Sequence, residues 1–250
     1  MILIFYAFSR EVAALKRRLG ARTPLNLKGL SGFRIRTEHN EVAFVATGIG
    51  MIRSRTIARL ALAALPDTQF VIGTGVAGAL SGGLRPGDIV IADRALKARD
   101  DTAHPEQVVS VNPAVVDFCQ HTIYRAGLES STGAILSSPR VIANASAKRA
   151  AKQNSGAIVV DMESAAIALE ASARGVPFAI VRTVIDSLED EVFGAEVADE
   201  MGRVKALAAA GYLARNPGAF LKIPWMLRNL ALATRALADA IEALIKTELP

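Results

Sequence analysis

Apolar positions along this chain fall into two alternating rhythms. Short runs rich in Ile, Val and Phe, at Ile2–Tyr6, Phe33–Thr37, Val42–Ala46, Phe70–Gly73, Asp88–Ala92, Gly133–Leu136, Ala157–Val160 and Phe178–Thr183, read as buried strands. Between them, Ala-rich segments with apolar residues three and four apart predict helices over Met51–Leu65, Pro113–Ala126, Ala145–Gln153 and Met162–Arg174. A first helix is expected to start at Ser9 as N-cap, with Val12, Leu15 and Leu19 on one face and Lys16, Arg17 and Arg18 on the other. Strands alternating with helices specify the α/β class: a single-domain three-layer α/β/α arrangement, its mixed twisted sheet flanked by helices.

The last part of the chain differs in kind. Residues Val197–Leu213 are patterned as a helix, Asn216-Pro217-Gly218 punctuates it, and Phe220–Ile245 follows with Trp225, Met226, Leu227, Leu230, Leu232 and Leu237. Pro224 should break or start a helix, because it lacks an N–H donor and its ring clashes with the preceding turn. The expected organisation is a domain over 1–213 with an apolar and basic helical extension over 214–250, an appendage to the domain.

Composition narrows the classes. Of the 250 residues 51% are hydrophobic and only 5% aromatic, so the core is aliphatic, and disorder and fibrous repeats are excluded. The formal charge of +5 is unevenly placed: residues 1–36 hold eight Lys or Arg against Glu11 alone, which leaves −2 for the rest. A local basic patch is implied, and no nucleic-acid partner. Cys119 is the only cysteine, which rules out an internal disulfide or a Cys-based metal cluster and fits a reducing compartment. The apolar start, Met1–Phe8, lacks the basic flank and cleavage site of a leader and reads as a strand. Arg215, Lys222, Arg228 and Arg235 interrupt the most apolar region too often for a membrane span.

Three motifs carry candidate chemistry. Gly73-Thr74-Gly75-Val76-Ala77-Gly78 spells the dinucleotide-binding pattern, but Ser81-Gly82-Gly83-Leu84-Arg85-Pro86-Gly87 cannot form the helix whose N-terminus would take the pyrophosphate. Its glycines are better suited to close approach of backbone to another ligand. Thr47-Gly48-Ile49-Gly50 ends a strand and opens a helix; its backbone N–H groups suit an anion or a hydroxyl-rich sugar, or form only a tight turn. Asp161-Met162-Glu163 joins a strand to a helix, and Asp186 ends the next strand. Glu163 and Asp186 could face one pocket at the strand ends, or these acids could complement a helix dipole and cap a loop. His39, His104 and His121 show no ligand spacing, and Arg10, Arg53 and Arg55 suit either a phosphate contact or a solvated surface.

Taken in order, Glu11-Val12, Thr47–Gly50, Gly73–Gly78, Gly87-Asp88-Ile89-Val90, Asp161–Ala166 and Val176–Asp186 resemble the nucleoside phosphorylase/nucleosidase superfamily, specifically its methylthioadenosine/S-adenosylhomocysteine nucleosidases. The resemblance covers roughly residues 1–190. Beyond Asn216 it offers no counterpart, and the tail is similar to that of the hopanoid-associated phosphorylases, which are assigned adenine removal from adenosylhopane. The resemblance implies cleavage of an N-glycosidic bond of a 5′-substituted adenosine. Asp186 would be the general acid at adenine N7 and Glu11 the base for water. Glu163 would hold the ribose hydroxyls and Met162 the sugar face, with Gly78, Thr47, Gly48 and Ile49 also lining the substrate. Ser137–Ile142 matches the adenine seat, where Val141 replaces an aromatic residue and the Ile142 backbone would carry base recognition. Arg182 is read as structural, holding strand-end carboxylates or the sheet rim, with a phosphate contact as the alternative.

No metal or organic cofactor is implied. Phosphate is the rival co-substrate to water, but a Gly-Asp-Pro-x-Arg phosphate motif is absent and Ala7-Phe8-Ser9-Arg10-Glu11 stands in its place. The remaining expectations are a homodimer, a cytoplasmic location, and an apolar and basic tail that either lines the exit for the 5′ group and contacts the inner membrane face or packs as a helix on the domain or on a partner subunit.

Overall fold

Five successive apolar residues, Ile2–Tyr6, form β1, and every one is buried. This is how a strand covered on both faces reads. The structure is a computed structural model that describes residues 1–192 and 218–249. In chain order the elements are β1, α1 (Ala13–Arg18), β2 (Thr23–Pro24), β3 (Ser31–Arg36), β4 (Glu41–Ala46), α2 (Met51–Ala64), β5 (Phe70–Ala79), β6 (Ile89–Ala98), β7 (Pro105–Ser110) and α3 (Pro113–Arg125). Then come β8 (Ser130–Ser137), α4 (Ala145–Ser155), β9 (Val159–Asp161), α5 (Ser164–Ser172), β10 (Phe178–Asp186) and α6 (Ala219–Lys246).

The strands form one mixed sheet in the order β10-β6-β8-β9-β5-β1-β4-β3-β2, with β7 on the outer side of β6. Strand β10 also pairs with β5 in parallel, so the path β5-β10-β6-β8-β9 returns on itself and five strands close into a ring. The expected mixed α/β architecture is present. Ring closure is a long-range pairing that a linear alternation of elements does not encode.

Where the elements differ from expectation, the cause is local. Helix α1 does not begin at Ser9: residues 9–12 are turns, because the Glu11 side chain folds back onto the amides of Ala7 and Phe8 and holds the chain out of helical geometry. Strand β5 runs to Ala79, so the Gly73–Gly78 motif lies inside a strand, which removes the dinucleotide reading. Its glycines admit close neighbours instead: a Cβ on Gly73 would lie 2.6 Å from Cδ1 of Ile180 on β10. Strand β7 went unforeseen because Pro105-Glu106-Gln107 puts polar side chains on an edge that solvent covers.

Helix α6 runs through Pro224 without breaking or starting there, and forgoes one backbone hydrogen bond. Its last half is no appendage. Leu237, Ala238, Ala240, Ile241, Leu244 and Ile245 belong to the same hydrophobic core as β1. Thr183 of β10 donates to Ala233 O at 3.0 Å, while the Asn40 amide donates to Ile245 O and Thr247 O at 3.0 and 2.8 Å, satisfying carbonyls at the helix end. The division expected at 213/214, the helix over 197–213 and the side chain of Phe220 lie outside the described residues.

The basic patch is partly neutralised within the fold. Arg18 pairs with Asp239 and Glu242 of α6, Arg34 pairs with Glu41, and the Lys16 ammonium sits 4.6 Å from the centroid of the Phe33 ring. Among the described residues, no helix is long and apolar enough to cross a membrane.

Candidate active site

Parallel strands β1, β4, β5 and β10 end on the same side of the sheet, where the turns after them converge. Glu11 occupies the turn after β1. Its Oε2 accepts from Ala7 N at 2.7 Å and Phe8 N at 3.2 Å, and its Oε1 accepts from Val76 N at 3.1 Å, across on β5. Burial pushes its carboxyl above the usual range, while the guanidinium of Arg182 and the three amides pull it back. Gly75, at φ +151°, makes this possible: a Cβ there would fall 2.1 Å from Arg182 Nη1 and 2.5 Å from Glu11 Oε1.

The two acids at the start of α5 part company. Asp161 takes the structural role. It accepts from Ser137 Oγ at 2.6 Å, from the Ser164 hydroxyl and amide, and from the Glu163 amide, so its charge serves the N-terminus of α5. Arg182 completes the arrangement: Nη2 lies 2.7 Å from Asp161 Oδ2, Nε donates to Ser164 Oγ at 2.9 Å, and Nη1 donates to Thr74 O at 2.7 Å. It holds a strand-end carboxylate, in line with the structural reading of the sequence.

Glu163 turns the other way. Its Oε1 accepts from Gly50 N at 2.8 Å, which ties the Asp-Met-Glu segment to the Thr47–Gly50 turn. Burial, with Asp161 close by, pushes its carboxyl up to about 8 against the opposing pull of Arg182. Gly48 and Gly50 have φ of +77° and +98°, so this turn requires glycine at both positions. Thr47 and Gly48 are buried with their amides bonded to Tyr6 O and Ala7 O, while Ile49 and Met162 are half-buried beside them. Gly50, the last residue of the turn singled out from sequence, is tied to the acids by this bond, although the substrate-lining residues carried over from the resemblance stop at Ile49.

Asp186 closes β10 opposite Gly78 of β5, across a register shift at residues 184–186. A Cβ on Gly78 would sit 3.0 Å from Asp186 Oδ1, so glycine is what leaves room for this carboxyl. Burial raises its proton affinity, and Lys148 of α4, in direct contact with Oδ1, lowers it. Gly78 also pairs with Val160, the residue before Asp161. The structure thus gathers Glu11, Glu163, Asp186, Gly78 and the Thr47–Gly50 turn at one end of the sheet. Val141 and Ile142, in the segment before α4, border it more loosely: Val141 is 44% exposed, and Ile142 packs on the cluster that includes Leu80, Leu136 and Val160.

Lys148 escaped the sequence reading. It lies in a polar helix beside Arg149 and Lys152, and its one distinguishing signal is a position three residues before Ala151 on the buried face. Of the arginines considered for phosphate, Arg55 is bonded to Glu170 on α5 at 2.7 Å, which Arg59 shares. Buried carboxyls of raised proton affinity, among glycines that expose backbone, can donate a proton and accept hydroxyl hydrogens in one small volume.

Known proteins share this framework. The family described as the phosphorylase superfamily matches residues 1–214. The 5′-methylthioadenosine/S-adenosylhomocysteine nucleosidase of Haemophilus influenzae is 31% identical over 192 residues, 72% of this chain and 83% of that protein. Its namesake from Staphylococcus epidermidis is 29% identical over 197 residues, 74% of this chain and 86% of that one. Among solved structures, the Neisseria meningitidis nucleosidase of the same name, in complex with methylthio-immucillin-A, superposes with a TM-score of 0.74 at 18% identity, covering 98% of both chains. Futalosine hydrolase of Helicobacter pylori gives 0.73 at 16% identity, over 98% of this chain and 96% of that one. Coverage of that extent includes the segment beyond Asn216, so the last helix has a counterpart in the fold even though the sequence resemblance offered none. With a family match from the first strand to residue 214 and a relative above 30% identity over most of its length, the chain belongs to the phosphorylase superfamily.

Proposed function

We propose that the protein is an N-glycosidase that releases adenine from a 5′-substituted adenosine by hydrolysis, without metal or organic cofactor. The observation that carries this reading is the placement of Glu163 and Asp186. Both carboxyls are buried with raised proton affinity, one tied to the Gly50 turn and the other seated on Gly78 at the same sheet end. Cleavage passes through a ribosyl cation and expels an electron-rich purine, so it needs a proton at the base and hydrogen-bond contacts to the hydroxyls around the sugar. The Asp186 proton goes to N7 while the C1′–N9 electron pair withdraws into adenine. Glu11 takes a proton from water as its oxygen bonds to C1′, and Glu163 accepts from the ribose hydroxyls. Val141 and the Ile142 backbone border the base, and Met162 packs on the sugar. A carboxylate at the position of Glu11 repels phosphate, and the engagement of Arg55 with Glu170 leaves it poorly placed to hold one, so water is favoured as nucleophile.

The 5′ group is proposed to be large and apolar, as in adenosylhopane. Lys222 of α6 lies 3.6 Å from Glu191 in the turn following Asp186, so the start of α6 adjoins the site, and Leu221 and Leu227 there are exposed. Burying hydrocarbon against such a surface contributes about 25 cal/mol per Å². The same relatives support 5′-methylthioadenosine as the alternative substrate. The proposed assembly is a homodimer that covers Ile52, exposed at the start of α2 beside the Gly50 turn.

Adenine release from 5′-methylthioadenosine and from a long-chain 5′-alkyl adenosine, each with and without phosphate, tests the reading. Phosphate-independent release, faster with the alkyl chain, is expected. Fast turnover of methylthioadenosine with no gain from the chain would remove the apolar 5′ group, and strict phosphate dependence would remove hydrolysis. Asp186→Asn should slow release by about 100-fold or more, the range for loss of a general acid.

A further inference from the structure

Lys148 is wholly buried, a rare state for lysine, and stands in the first turn of α4, where a cation opposes the helix dipole. Helix stability does not explain it. Its ammonium has three protons and three partners: Asp186 Oδ1, Ser187 O at 2.7 Å and Asp190 O at 2.9 Å. All three lie on β10 or the turn that follows it. That turn is independently anchored, since Val192 N donates to Ala143 O at 2.8 Å and the Ser187 amide donates to Asp190 Oδ2 at 2.8 Å. A strut for the turn would need only the two carbonyls; the third bond goes to the proposed acid.

We propose that Lys148 is a positioning residue that acts through Asp186, holding Oδ1 so that the other oxygen meets the leaving base and neutralising the carboxylate left after proton transfer. This rests on the N-glycosidase reading above. As the C1′–N9 pair withdraws into the purine, the Asp186 proton moves to N7, and Asp186 becomes a carboxylate facing an ammonium that keeps its own protons throughout. The charged groups acting on Asp186 are Lys148 from α4 and Asp190 from the turn, which pushes the other way. Strand β5 faces it with uncharged Gly78, and Arg149 of α4 is turned outward to Glu189. Burial raises the proton affinity of the acid, and Lys148, in contact with Oδ1, lowers it toward release.

The test compares Lys148→Met and Lys148→Arg in the full-length protein. With Lys148 gone the acid holds its proton to higher pH, so the alkaline limb of kcat/KM should move up by about one unit or more. At the same time kcat should fall about tenfold or more, as a weaker and misplaced acid requires, with KM nearly unchanged. Lys148→Arg should restore the limb. In an Asp186→Asn background, Lys148→Met should cost nothing further in kcat/KM, because its partner is already absent. An unmoved limb, or an undiminished further loss in that background, would overturn the proposal and leave Lys148 a strut. Should Lys148→Met not fold, Lys148→Gln, which keeps an N–H for a turn carbonyl, carries the same comparison. Carbon-13 titration of the Asp186 carboxyl, assigned with Asp186→Asn, reads the Lys148 effect without turnover. If the wild type releases no adenine from any adenosine yet this titration shifts upward in Lys148→Met, the N-glycosidase reading fails while the control of Asp186 by Lys148 stands.

Discussion

The guanidinium of Arg182 lies 2.7 Å from the carboxylate of Asp161, and the two side chains are 0% and 1% exposed. Around this pair the site is assembled: Asp161 receives the first amides of α5, and Arg182 tempers the proton affinity of both Glu11 and Glu163. Removing one partner leaves the other charge buried and uncompensated. Arg182→Met should therefore cost about 3–5 kcal/mol of stability, whereas Arg182→Met combined with Asp161→Asn should recover part of the loss. Urea unfolding midpoints of the two variants decide it. Equal destabilisation would mean that the pair is not the source of the cost.

Glu163 makes stability depend on pH. In the folded protein its carboxyl holds a proton up to about 8, whereas in the unfolded chain it releases it near the ordinary value of 4.5. Between those values the folded state binds more protons, so this contribution is fully present below about 4.5 and is lost as pH rises through 8. Glu11 and Asp186 are shifted in the same direction. Thermal unfolding of the ligand-free protein should show Tm falling between pH 5 and pH 8. Glu163→Gln, which keeps an acceptor for Gly50 N, should raise Tm relative to wild type at pH 8 and leave it nearly equal at pH 5. A wild-type Tm that rises over this interval would contradict the buried, proton-holding state of these acids.

Strand and helix positions were readable because burial on both faces and helical spacing leave their mark on consecutive residues, as in Ile2–Tyr6 and Pro113–Arg125. The carboxylates could be singled out because acids at strand ends interrupt apolar runs. Their division of labour follows from no local pattern, since Asp161 and Glu163 are alike in sequence; only the resemblance singled out Glu163, and in the structure the two differ in the amides they reach: those of α5 for one, that of Gly50 for the other. Lys148 was hidden for the same reason. Its partners Asp186, Ser187 and Asp190 lie about 40 residues away, and nothing local distinguishes a buried ammonium from a solvated one. The fate of the last helix also depends on distant groups, since carbonyls at its end are capped from Asn40.

Two glycines of β5 should respond oppositely to alanine. At Gly78 the new Cβ meets Asp186 Oδ1 at 3.0 Å, and the carboxyl, held by Lys148, has to give by a few tenths of an ångström. Misplacement on this scale costs rate more than stability, so Gly78→Ala should lower adenine release about tenfold or more with little change in Tm. At Gly75 the Cβ would strike Arg182 and Glu11 within 2.5 Å, on a backbone at φ +151° that L-residues avoid. Gly75→Ala should therefore lose stability outright, measured by denaturant unfolding. If Gly78→Ala retains full activity, Asp186 is not held tightly enough for its position to matter.

Val141 offers a change that should improve binding. It is 44% exposed in the segment before α4, where the resemblance places an aromatic residue under adenine. An aromatic ring stacked on the base adds about 0.5–1.5 kcal/mol beyond the area it covers. Stacking of this kind is present in both the bound substrate and the transition state, and so it lowers KM without raising kcat. Val141→Phe should accordingly reduce KM for an adenosine substrate about 2- to 10-fold with kcat nearly constant. Steady-state adenine release read over a range of substrate concentration separates the two parameters. An unchanged KM would place the base away from Val141 and shift its recognition to the backbone of Ile142.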